Sequence, residues 1–284
     1  MSKQLEGKTE SAVLTQQLLA KLNNLRQLLV TYKRVAVAFS GGVDSSLLLY
    51  VAKEQLGEQV LVINIASPFV PLKETEAART FCEELKVPLQ VLQVNVLAKP
   101  NIKANSKDRC YYCKQYIFQK ILESAQKSGY NIVVEGSNLD DLGDYRPGLR
   151  ALEELKIASP LRQAGLTKGD IRQLALFFGL STSTKPAAAC LASRIPYGTE
   201  LTCELLKQVE LGEDFLKALG LEQVRVRSHG RVARLEVEEA AFPVVMGQRQ
   251  AIIDYFHKIG FYYISLDLQG FASGSMNRGL DEKE

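Results

Sequence analysis

Short continuous apolar blocks alternate along this chain with longer stretches in which apolar residues recur every three or four positions. Val35-Ala36-Val37-Ala38-Phe39 and the segments 59–65, 88–94 and 131–135 have strand length. Such runs mark strands buried on both faces. Residues 9–31 carry Val13, Leu14, Leu18, Leu19, Leu22 and Leu25 at helical spacing. Further helices are predicted over 44–56, 73–86, about 112–127, after a polar stretch 98–109, and 167–179, the last opened by Thr167 and closed near Gly179. Strands alternating with helices predict an α/β fold, a doubly wound parallel sheet.

After Pro196-Tyr197-Gly198 the pattern changes. A helix is predicted over about 202–219. Strands Val224–Arg227 and Val232–Val237 follow, joined by the turn Ser228-His229-Gly230-Arg231, then a helical stretch to about 258 and a last strand, Tyr262–Leu266. This reads as a smaller C-terminal α+β domain, with the division at 1–195 and 196–284.

Composition adds exclusions. At 46% hydrophobic and 24% charged residues the chain reads as globular, and no run approaches a membrane span. No basic-then-apolar leader is visible, so the cytoplasm is the expected location. A net charge of +3 without a dense Lys/Arg run gives no reason to expect nucleic acid. The five cysteines, an odd number, argue against a disulfide scaffold. Cys82 reads as core filler and Cys203 as structural near a helix start, leaving Cys110, Cys113 and Cys190.

The chemistry centres on Ser40-Gly41-Gly42-Val43-Asp44-Ser45-Ser46, between the first strand and a helix. A glycine-rich turn there leaves backbone N–H groups facing outward at the positive end of the helix, an anion site. Gly41 and Gly42 permit close approach of a phosphate, and Ser40, Ser45 and Ser46 add hydroxyls. The G-K-[ST] ending of a Walker loop is missing. Ligands of open α/β sheets bind at the carboxyl ends of strands. Ser67, after the second strand, and Gly136 and Asn138, after the fourth, share that edge. Asp140, Asp141, Asp144 and Arg146 form a carboxylate-rich stretch that suits Mg²⁺ or is a solvated loop. Between the domains, Lys185 and Arg194 flank Cys190, a setting expected to favour its thiolate. Arg225 and Arg227 alternate along a strand and share a face, either as phosphate forks or as a solvated surface.

The first loop resembles that of the N-type ATP pyrophosphatases, which implies an adenine nucleotide alpha hydrolase-like PP-loop domain. Taken with Asp144-Tyr145-Arg146-Pro147-Gly148, the Cys190–Gly198 linker and Arg225-Val226-Arg227, the chain is similar over about residues 30–277 to the LarE family of sulfur transferases. The resemblance implies adenylation of a carboxylate of pyridinium-3,5-biscarboxylic acid mononucleotide and replacement of one oxygen by sulfur, a step in making the nickel-pincer nucleotide cofactor. It implies ATP and Mg²⁺ as cofactors, with Asp44 holding Mg²⁺ or its waters. It places adenine by Ser67, and the substrate near Asp144, Arg146, Lys185, Arg194, Arg225 and Arg227. Glu213 and Glu236 match acidic positions that hold metal. A sulfide or persulfide donor, the other enzymes of nickel-pincer assembly and a homo-oligomer are the implied partners. Val244 replaces an acidic residue, and Ala272 and Ser275 replace arginines, of some members.

Two sources of sulfur stay open. In some members the linker cysteine, at or beside Cys190, gives up its own sulfur. Here Cys110-Tyr111-Tyr112-Cys113 adds two more thiols. Cys-x-x-Cys alone is equally a redox pair, half a zinc site or chance. Three cysteines suit a [4Fe–4S] cube with one iron open to carry sulfide, and this is the preferred reading. A tRNA thiolase and a non-catalytic adenine-nucleotide sensor are the alternatives to the family reaction.

Overall fold

The computed structural model describes residues 14–143, 147–186 and 189–272. Helix α1 (Gln16–Tyr32) starts where the Thr15 side chain caps Leu18 N–H and buries Leu18, Leu22, Leu25 and Leu29. Strand β1 (Val35–Ala38) leads through the glycine-rich loop into α2 (Val43–Leu56). Then come β2 (Val60–Ala66), α3 (Leu72–Glu84), β3 (Leu89–Gln93), a short α4 (Pro100–Lys103) and α5 (Arg109–Lys127). Strand β4 (Val133–Val134), α6 (Pro147–Glu154), α7 (Pro160–Gln163) and α8 (Lys168–Phe177) complete the unit.

The sheet has the order β3-β2-β1-β4, with every pair parallel. Along β1, Val35, Val37 and Phe39 join a core with α1, α2, α3 and α8, whereas Ala36 packs on the other face with Phe118 and Ile121 of α5. Helices therefore cover both faces, as the alternating pattern predicts, and the unit is a doubly wound α/β sheet. Strand β4 is shorter than predicted: it pairs with β1 only at Val133 and Val134, and its other edge meets Ala158 in a single bridge.

The C-terminal unit is α+β. Helix α9 (Cys203–Ala218) precedes β5 (Val224–His229) and β6 (Val232–Val237), which pair antiparallel across the two-residue turn Gly230-Arg231. The predicted helical stretch is broken: Pro243 opens α10 (Phe242–Gly247), and α11 (Arg249–Lys258) restarts after Gly247. Strand β7 (Tyr263–Leu266) returns parallel to β6. Gly212 of α9 lets Phe256 approach, since a Cβ there would lie 3.1 Å from its ring.

The two units share a core. Phe69, Val94, Val96 and Ile102 of the first pack in one cluster with Leu206, Val226, Leu235 and Phe256 of the second. Leu191, Ala192 and Ile195 of the linker are buried in that same cluster. No helix among the described residues is long and apolar enough to cross a membrane.

Candidate active site

The loop after β1 is built around close contacts. Gly41 takes φ +74°, and Gly42 caps α2 with extended backbone. Ser45 Oγ lies 3.1 Å from both Ser40 Oγ and the Gly42 carbonyl oxygen. Ser46 is fully buried in the first turn of α2. Gly136, after β4, lies so close that a Cβ would stand 3.0 Å from the Ser45 nitrogen. The chain after β4 therefore rests directly on the start of α2.

That contact brings the charged residues together. Asn138 Nδ2 donates to Asp44 Oδ1 at 3.2 Å, and Lys168 Nζ donates to Asp44 Oδ2. The Asn138 N–H donates to Asp141 at 2.9 Å, and the Lys168 N–H to Asp140 at 2.8 Å. Lys185 Nζ donates to the Gly41 carbonyl at 3.0 Å and to Glu74 at 2.7 Å. These groups line a cavity of about 450 Å³ that also includes Ser40, Gly42 and Cys190. Beside it, Ala38, Ser40, Ile63, Ile65, Phe118 and Ile121 line an apolar slot of about 170 Å³. Ser67 faces a different space, a cleft of about 840 Å³ between α3, β3 and α9. Its hydroxyl accepts the Phe69 N–H at 3.3 Å.

The sulfur residues converge from two segments. Cys110 and Cys113 fall inside the first turns of α5, which begins at Arg109, three residues before the predicted start. Three apart on a helix, they share a face. Cys113 and Cys190 pack against one hydrophobic cluster. Burial pushes the Cys113 thiol up to about 12, and the neighbouring sulfurs of Cys190 and Cys110 add to the shift. Arg109 is buried, donates to the Ala192 carbonyl at 3.0 Å and to Asn105 Oδ1, and stands 3.6 Å from Cys110 Sγ. Burial opposes its charge, but the sulfurs of Cys190 and Cys110 outweigh this and hold its pKa above the ordinary value.

Lys185 and Arg194, expected to flank Cys190, both have other partners, and Arg194 also bonds the Cys190 carbonyl at 3.2 Å. Lys185 is engaged by Gly41 and Glu74, and Arg194 by Glu213; Arg109 is the guanidinium that faces the sulfurs. Among the described residues no three His, Cys, Asp or Glu side chains stand close enough to hold a metal ion. The three cysteines match a cluster in donor type and neighbourhood, without a preassembled shell.

Glu213 and Glu236, read from sequence as metal ligands, are committed otherwise. Arg194 meets Glu213 with two bonds, 2.7 and 3.0 Å, and Arg227 meets Glu236 with two of 2.9 Å. Both carboxylates are buried, and a buried carboxylate demands such a partner. Arg225 and Arg227 do share a face of β5, paired across to Glu236 and Arg234. Arg227 Nη1 also reaches the Ser193 carbonyl at 2.5 Å. The Arg225 guanidinium lies 5.1 Å from the Phe271 ring centre. Burial, with Arg194 next, pushes its pKa down to about 10. Arg194, Arg225 and Arg227 thus bring three guanidinium groups to this end of the linker, two of them paired with Glu213 and Glu236. Asp144 and Arg146 lie outside the described residues, as does Ser275.

Sequence reasoning missed Lys168, Glu74, Arg109 and Asn105. Lys168 follows the capping threonine of α8, which fixes its place but not its partner. Arg109 adjoins Cys110, yet only the fold turns it toward Ala192.

A parallel α/β sheet with a phosphate-type loop at its carboxyl edge and a cysteine in the same cavity defines a PP-loop enzyme of the sulfurtransferase class. Residues 11–144 match the PP-loop domain family. The chain is 37% identical over 253 residues to pyridinium-3,5-bisthiocarboxylic acid mononucleotide synthase of Lactiplantibacillus plantarum, covering 89% of this chain and 92% of that protein. It is 40% identical over 266 residues to an uncharacterized Synechocystis protein, covering 92% of this chain and 98% of that one. A tRNA-5-methyluridine(54) 2-sulfurtransferase of Pyrococcus horikoshii is 33% identical over 126 residues, covering 42% of this chain and 39% of its own length. The chain belongs to the LarE family within the N-type ATP pyrophosphatase superfamily.

Proposed function

We propose that this enzyme adenylates a carboxylate of pyridinium-3,5-biscarboxylic acid mononucleotide and converts it to a thiocarboxylate for the nickel-pincer cofactor. The observation that carries the reading is that Asp44 and Cys190 line one cavity. Carboxylate oxygen attacks the α-phosphorus of ATP, and pyrophosphate leaves. A sulfur nucleophile then attacks the acyl carbon, and AMP leaves with the bonding pair, so one hard substitution becomes two easier ones. The apolar slot at the ends of β1 and β2 suits adenine, and the loop N–H groups suit the phosphates. Asp44, Asp140 and Asp141 line the cavity and would offer oxygen donors to Mg²⁺ arriving with nucleotide, which would neutralise phosphate charge. Arg225 and Arg227 suit the phosphate of the mononucleotide, because an anion offsets the burial and, after it, the neighbouring Arg194 charge that lower the Arg225 pKa.

Cys110, Cys113 and Cys190 would hold a [4Fe–4S] cluster, which supplies transferable sulfide when bound. The Arg109 guanidinium supports it by offsetting part of the burial that opposes a thiolate at Cys113. The second reading, Cys190 as its own sulfur source, rests on its place in the nucleotide cavity. The mass of the enzyme after anaerobic turnover with sulfide separates them. An unchanged mass with several products per chain supports the cluster, and loss of one hydrogen sulfide at Cys190 per product supports sacrifice.

The reaction class is tested by pyrophosphate release. Release is expected with ATP and the biscarboxylate mononucleotide, and not with either alone. Release dependent on tRNA would show a thiolase instead, and binding of ATP without release under any addition would show a sensor.

A further inference from the structure

The two lysines of the nucleotide cavity are held in different ways. Lys185 divides its ammonium between the Gly41 carbonyl and Glu74, both parts of its scaffold. Lys168 ends on Asp44, the carboxylate of the phosphate loop. The root of Lys168 is fixed. Its N–H is bound by Asp140, and the capping box between Thr167 and Asp170 locks the turn. Asp170 is in turn paired with Lys21 at 2.6 Å. Beyond that root lies a flexible four-carbon stem, one-third exposed, that opens onto the cavity.

Asp44 therefore already carries a cation, the Lys168 ammonium. A divalent cation arriving with nucleotide brings twice the charge to the same carboxylate. The triphosphate places several negative charges in the cavity that Lys168 lines. Both changes draw the ammonium off Asp44 and toward phosphate.

We propose that Lys168 is a phosphate-binding residue that rests on Asp44 when the cavity holds no nucleotide and passes to the triphosphate when magnesium and nucleotide enter. This inference rests on the reading of the cavity as an ATP site. It makes Lys168 a place-holder for the metal at Asp44 and a ligand of the nucleotide afterward. The exchange involves no covalent step.

Equilibrium binding of a non-cleavable ATP analogue, with magnesium, tests this in the wild type, Lys168→Met, Asp44→Asn and the double variant, with adenosine as a second ligand. Lys168→Met is expected to weaken the analogue roughly ten- to a hundredfold, the scale of one charge-assisted contact. Adenosine binding should stay unchanged, and Lys168→Arg should recover most of the loss. The deciding comparison is made in the Asp44→Asn background. A direct phosphate contact keeps its penalty there, whereas a lysine that only neutralises Asp44 loses it. A vanished penalty overturns the proposal, as does equal binding by wild type and Lys168→Met. A wild type that binds neither analogue nor adenosine overturns the ATP reading itself, and the inference with it. Lys168→Gln repeats the measurement if the methionine variant does not fold.

Discussion

At the scale of single residues, the site depends on groups whose environment sets their charge. Cys82 and Cys113 are both pushed up to about 12, chiefly by burial. Alkylation requires the thiolate, so near pH 8 iodoacetamide should label exposed Cys203 well before either of them. Labelling followed by peptide mass analysis reads this directly, and rapid modification of Cys113 would contradict its burial. Linkage gives the sign for stability. An unfolded thiol ionises at about 8.5 and these two near 12, so the folded chain binds more protons in between. Their contribution is complete below about pH 8.5 and is lost as pH rises toward 12. Melting temperature should therefore fall across that window, and less steeply in Cys82→Ala. Gly136→Ala should cost about 1–3 kcal/mol and slow pyrophosphate release, because its Cβ would meet the Ser45 nitrogen at 3.0 Å.

At the scale of elements, the linker and helix α9 are joined by the buried ion pair Arg194–Glu213, whose loss should be asymmetric. Removing one partner strands a buried charge, so Glu213→Leu should destabilise the protein by about 3–5 kcal/mol. Replacing both, as in Arg194→Met with Glu213→Leu, should cost less than the single change. Denaturant melts of the set decide this, and additive losses would show the two to be uncoupled. The elements also show what a sequence conveys. Runs such as Val35–Phe39 are legible because a doubly buried strand must be apolar throughout. The phosphate loop is legible because its chemistry is local. The partners of Arg194 and Arg227 were not, because they lie on α9 and β6 and depend on register and packing. The start of α5 was misplaced for another reason. Polar residues over 98–109 look like loop, yet Arg109 and Cys110 enter the helix because Arg109 bonds the linker.

At the scale of the whole molecule, the shared core has a measurable result. Phe69 and Ile102 pack in the same cluster as Phe256 and Leu235, so the core of the second unit is completed by residues of the first. Calorimetry of the metal-free chain should show one unfolding transition, and two well-separated transitions would show that the units hold themselves up independently. The change of grammar near Pro196 was visible in the sequence, whereas this common core was not. It joins residues more than a hundred positions apart, and periodicity reports only which residues are buried, not against what.

The linker that carries Cys190 is held mainly by its own carbonyl groups. Ala189 and Cys190 are bonded by Arg194, Ala192 by Arg109, Ser193 by Arg227, and Ile195 and Pro196 by Asn105. Carbonyls are the same whatever side chain the residue bears. The shape around the sulfur is thus encoded in Arg194 of the linker itself and, at a distance, in Arg109, Arg227 and Asn105. In a comprehensive substitution library, exposed and partly exposed linker positions apart from Cys190 should tolerate exchange freely. Asn105, Arg109, Arg194 and Arg227 should accept almost nothing. Among related chains, drift should accordingly be written in the linker and restraint in residues that never touch the substrate's sulfur.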